Sequence, residues 1–184
     1  MARKALKKGK KPVTSKKKML KASPTKKKVL FIPKGYNSIT PYLIVSDGKK
    51  AIKFYESAFG AKQVLRMDMP DGKIAHAELK LGDAKIMLSD ECPEMHKMGY
   101  KAGSSSAVSI HFYTKDVDQA VKKAKALGAN IIKPVEDQFY GDRAGMIEDP
   151  FGHKWCVATH IENVTPAQLK KRAAALFEKQ HNAE

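Results

Sequence analysis

An internal repeat constrains this chain more than any other feature of its sequence. Asp47 is matched by Asp116, Ala51 by Ala120, Ile52 by Val121 and Gly82 by Gly152, at a spacing of 69 or 70 residues throughout. A repeat of that length is one supersecondary unit used twice. Each copy reads strand, helix and then three strands. In the first, ITPYLIV from Ile39 is a β-type run and Asp47 is an N-cap. Ala51, Ile52, Tyr55, Ala58 and Phe59 then recur at helical spacing until Gly60 closes the helix. Strands follow over 63–67, 73–81 and 84–89, separated by Pro70-Asp71-Gly72 and Gly82-Asp83. In the second copy a strand over 108–113 precedes a helix from Asp116 to Gly128, with strands over 131–135, 143–147 and 154–160. The fold class expected is α+β, with two tandem βαβββ modules, 39–92 and 107–161, forming a curved mixed sheet.

The clearest turn is Asp149-Pro150-Phe151-Gly152. Proline pre-sets φ at its second position, glycine relieves the exit, and the Asp149 side chain can accept from its own backbone. Between the modules, residues 91–106 have no period and end in a Gly-Ser tract, which predicts a mobile connector. Thr165-Pro166 opens a Lys-rich C-terminal helix over 165–184.

Charge is distributed unevenly. The net charge is +16, yet residues 1–34 hold 14 Lys or Arg and no acid, so the other 150 carry 35 − 14 = 21 basic against 19 acidic side chains. This tail is too polar to bury a core, and a disordered basic N-terminal tail is expected. It could attract nucleic acid by counterion release, or serve as a solvated arm. No apolar run is long enough for a membrane span, which needs roughly 18 residues. Cys92 and Cys156 have neither disulfide-framework nor zinc spacing, and a cytoplasmic location is expected.

Three stretches in order, together with the paired modules, carry a family likeness: VSDGKKAIKFYESAFGA, IAHAELKLGDAKIMLSDE and FYGDRAGMIEDPFGHKW. Over residues 38–164 the chain resembles the vicinal-oxygen-chelate superfamily of glyoxalase I, bleomycin-resistance proteins, fosfomycin-modifying enzymes and extradiol dioxygenases. The likeness is greatest to its PhnB-like branch. The resemblance implies a cup-shaped sheet, often completed in a homodimer. It also implies metal ligands on the first and last strand of each module. Those positions hold Thr40, Ser109, Met87 and Cys156 here, so the usual metal site is expected to be absent and no cofactor is expected, with a relocated metal on His76, Glu78 and His111 as the alternative.

Strand alternation assigns the remaining polar residues. Leu43, Val45, Ala75, Ala77, Leu79, Ile86, Leu88, Val108, Ile110, Phe112, Trp155 and Val157 are expected to face the helices. The other parity faces the cavity, and its candidate ligand contacts are Tyr42, His76, Glu78, His111, Tyr113, Arg143 and His160. Met87, Ser89 and Cys156 share that parity. Arg143 suits a carboxylate or phosphate, the alternative being a salt bridge to Asp142 or a neighbouring acid. His153, beside the turn, is expected to be exposed. The leading function is a small-molecule-binding protein that takes a polar or anionic ligand in the cavity. One alternative is an enzyme of lyase, transferase or oxidoreductase type using His76/Glu78 acid–base chemistry. The other is a nucleic-acid-associated protein acting through its tail.

Overall fold

A computed structural model describes residues 29–100 and 106–181, with α3 side chains described to residue 178. The tail expected over 1–34 lies outside the described residues up to position 28, and residues 29–34 hold no helix or strand. Ile32–Glu184 is one compact unit. The first module runs β1 (Tyr42–Val45), α1 (Gly48–Phe59), β2 (Lys62–Asp68), β3 (Ile74–Leu81) and β4 (Ala84–Asp90). The second runs β5 (Ser109–Tyr113), α2 (Val117–Ala126), β6 (Asn130–Asp137), β7 (Asp142–Glu148) and β8 (Lys154–His160). Helix α3 (Pro166–His181) follows. Both βαβββ modules are present, each with its own four-stranded mixed sheet, in the orders β1-β4-β3-β2 and β5-β8-β7-β6. The first and last strands of each pair in parallel, as a connection through a helix allows, and the others are antiparallel.

Local chemistry starts and stops the helices as expected. Asp47 accepts the Lys50 N–H at 2.9 Å, and Asp116 accepts the Gln119 N–H at 2.9 Å. Gly60 closes α1 with φ of 70°, a left-handed conformation that costs glycine least. The apolar face of α1 buries Ala51, Ile52, Tyr55, Ala58 and Phe59, and α1 packs against α2. Tyr55, Phe59 and Trp155 meet there, with Phe59 and Trp155 ring centroids 5.0 Å apart.

The turn after β7 extends beyond its local geometry. Asp149 Oδ1 accepts the Phe151 and His153 N–H groups at 2.9 and 3.0 Å. Its Oδ2 accepts Tyr55 Oη at 2.7 Å and Trp155 Nε1 at 2.9 Å. One buried carboxylate thus joins the second module's turn to the first module's helix. Burial and the neighbouring Asp149 hold the Tyr55 phenol well above its ordinary pKa.

Three expectations need correction. Residues 101–105 of the connector lie outside the described residues. The part before them is structured, with a 3-10 turn at Pro93–Met95 and a bridge between Cys92 and Lys97. Val108 precedes β5 and is exposed, not turned to the helices. His153 is buried rather than exposed. Its Nε2 donates to the Ile44 carbonyl at 3.1 Å and its ring meets Tyr100 edge-on.

Candidate functional site

Register places the polar residues of each sheet in rows. In the first module Tyr42, Met87 and Glu78 are cross-strand neighbours. Tyr42 Oη lies 3.2 Å from His76 Nδ1, whereas His76 Nε2 lies 3.6 Å from Glu78 Oε1, beyond hydrogen-bond length. Glu78 is instead engaged by Lys85, whose Nζ donates to Oε2 at 2.9 Å and sits 3.7 Å from the centroid of the Tyr36 ring. Hydrogen bonding from Tyr36, then from Lys85, holds the Glu78 carboxyl below its ordinary pKa despite burial. A carboxylate compensated in this way is a weak proton acceptor, so the geometry does not favour His76/Glu78 as the acid–base pair. Lys85 and Tyr36 are not among the candidates that strand alternation picks out. Tyr36 lies in the irregular segment before β1, where no periodicity gives a side chain a direction.

The second module gathers a different set. Asp142, at the start of β7 and nearly fully buried, accepts from His160 Nδ1 at 2.6 Å and from Tyr113 Oη at 2.7 Å. These side chains come from β7, β8 and β5, and the ring of His111 lies 4.7 Å from that of Tyr113. His160 and Tyr113 border a cleft of about 660 Å³ that Lys115 also lines. Hydrogen bonds to Asp142 and then to Asn163 Oδ1 raise the pKa of His160. Burial alone would raise the pKa of Asp142, but the bonds from His160 and Tyr113 outweigh it and keep the carboxyl below its ordinary value. Of the sequence candidates, the structure brings His111, Tyr113 and His160 around Asp142, and places Tyr42, His76 and Glu78 on the other sheet.

Arg143 is corrected. It shares a face with Ile147, which packs in the core, so it points toward α2 and not into the cavity. Its guanidinium clasps Asp118 of α2 at 2.8 Å through two donors and reaches Asp137 at 2.9 Å. Asp142, the acid suggested as its partner, is occupied by His160 and Tyr113. Alternation could not decide the question, because β7 is buried or half-buried at every position.

The pKa of His160 gives a signed expectation. A histidine raised above 6.5 in the folded state contributes stability that is fully present below pH 6.5 and lost as pH rises through the higher folded value. The thermal midpoint should fall across that interval in the wild type. His160→Ala should flatten this part of the profile, and an unchanged slope would assign the dependence elsewhere.

The donor positions taken from the likeness do not fit a divalent catalytic ion. Thr40, Ser109, Met87 and Cys156 supply neither carboxylate nor imidazole, and among the described residues no three or more His, Cys, Asp or Glu side chains converge.

The chain is thus two tandem βαβββ modules with a polar cluster around Asp142 on the second sheet. The profile of the Glyoxalase/Bleomycin resistance protein/Dioxygenase superfamily matches residues 35–157, and the chain belongs to that superfamily. Protein Mb0911c of Mycobacterium bovis is 35% identical over 136 residues, covering 72% of this chain and 90% of its own. TioX from Micromonospora sp. ML1 is 26% identical with a TM-score of 0.53, over 68% of this chain and 99% of its own. A PhnB protein from Bacillus cereus is 19% identical with a TM-score of 0.54, over 67% and 99% of the two chains, and shares the fold. No described helix is long and apolar enough to cross a membrane.

Proposed function

We propose that this protein binds a small anionic ligand in the cleft that Tyr113, Lys115 and His160 of the second module border together with Phe59, Gly60 and Gly82 of the first, with His160 as the polar contact. The observation that carries this reading is the buried Asp142 carboxylate bonded to both His160 and Tyr113. The buried Asp142 carboxylate favours the protonated form of His160 at the edge of the cleft, and Lys115 adds a cation there. Tyr113 contributes an aromatic edge with its hydroxyl already oriented. A cleft volume of about 660 Å³ lies within the range of small-ligand sites.

A thermal-shift screen against small carboxylates and phosphates tests it. A ligand at about 100 times its Kd should raise the midpoint by roughly 5–10 °C. His160→Ala should remove most of that shift. Arg143→Ala should keep it, with at most a small loss of unliganded stability from its exposed ion pairs with Asp118 and Asp137. Loss of ligand response with Arg143→Ala and retention with His160→Ala would reverse the assignment.

A second reading, catalysis, rests on the same pair. An imidazole held by a buried carboxylate has the arrangement of a general base with its orienting group. Under this reading His160/Asp142 replaces His76/Glu78. Full turnover of an identified substrate by His160→Ala would eliminate it.

A further inference from the structure

We infer, resting on the anion site proposed above, that its ligand is a monocarboxylate with an apolar arm of about six carbons, and that the arm lies in a slot between the two modules. The cleft bordered by His160 adjoins a second cavity of about 230 Å³, and the two share Gly82, Phe112 and Tyr113. Leu81, Ala84 and Ile86 of the β3–β4 hairpin line this slot from the first module. Ile110, Phe112 and Trp155 line it from the second. Gly82 stands where cleft and slot meet. Its backbone is left-handed, with φ of 61°, and the place a Cβ would take has no described neighbour within 4 Å, so the turn leaves the junction open.

The lining decides the chemistry of the arm. Two of its polar members are already engaged: Lys85 donates to Glu78 at 2.9 Å, and the His111 ring packs on Tyr113 with centroids 4.7 Å apart. Asp83 adds a negative charge to the lining, which disfavours a second anionic group on the arm. An apolar cavity of roughly 150 Å³ takes a benzene molecule, so the slot has room for a phenyl ring or a short alkyl chain. Tyr113 joins the two halves of the site. Its hydroxyl donates to Asp142 at 2.7 Å, which holds the ring in place as a wall common to cleft and slot.

The full chain is titrated with acetate, butyrate and hexanoate, followed by NMR shifts, with adipate as the dicarboxylate. Each methylene buried should raise affinity roughly threefold, so hexanoate should bind about tenfold more tightly than butyrate. Adipate should bind several-fold more weakly than hexanoate. Ala84 lines the slot and not the cleft, so Ala84→Leu should return hexanoate to the affinity of butyrate and leave acetate unchanged. A gain below about twofold from butyrate to hexanoate in the wild type overturns the arm without need of a variant. Retention of the full gain in Ala84→Leu overturns it too. Either result leaves the anion site standing where His160→Ala still abolishes the acetate response. If His160→Ala binds every acid as the wild type does, the anion site fails and the inference with it.

Discussion

Asp149→Ala is expected to cost about 4 kcal/mol of stability, read as a shift in the urea midpoint at neutral pH. The carboxylate is buried and takes four hydrogen bonds, two from its own turn and two from Tyr55 and Trp155. Alanine would leave the Trp155 N–H and the Tyr55 hydroxyl without an acceptor in a closed aromatic core. Unsatisfied buried donors cost about 1–3 kcal/mol each, and the loss of the turn's Asp bonds adds to that. Tyr55→Phe, which removes only the bond between modules, should cost about 1–2 kcal/mol. A loss below about 1.5 kcal/mol in Asp149→Ala would mean that the cost of desolvating the carboxylate nearly cancels its bonds.

Gly141→Ala should cost about 3 kcal/mol and should also reduce the ligand response that depends on His160. Gly141 has φ of 96°, and its carbonyl accepts the N–H groups of Ile161 and Glu162 at 3.0 and 2.9 Å. A Cβ there would collide with the Glu162 carbonyl oxygen and reach Val164 Cγ2 at 2.8 Å. The obstruction is backbone, so rotamer adjustment cannot relieve it. Asp142 is the next residue and Ile161 follows His160, so the displaced segment is the one that holds this pair together. Gly60→Ala is the control. Gly60 has φ of 70° but open space around its Cβ position, and strain alone should cost about 1–2 kcal/mol. Equal losses at the two sites would show that the contact with Glu162 carries no weight.

The repeat was legible because it is written in short-range signals. Asp47 and Asp116 cap helices through contacts three residues away, and the Asp149 turn closes on its own backbone. Alternation placed Leu43, Val45, Ala77, Leu79, Trp155 and Val157 in the core because one parity of those strands is plainly more apolar. It misplaced Arg143, since β7 is covered on both faces and its two parities look alike. The candidate site was legible only in part. His111, Tyr113 and His160 could be named from their parity, but the acid that joins Tyr113 to His160 could not, because Asp142 read as a partner for its neighbour Arg143.

The sequence by itself determined two βαβββ modules, the caps and turns that bound them, and most of the residues that face the helices. Each of these rests on interactions within a few residues or on a period of two or 3.6. Tertiary structure decided which acid serves which base. Asp142 takes His160 and Tyr113, Arg143 takes Asp118, Glu78 takes Lys85, and Asp149 takes Tyr55 across 94 positions. A charged group can choose among several partners of similar strength, and strand register and the closing of one module on the other determine which is near enough to bond.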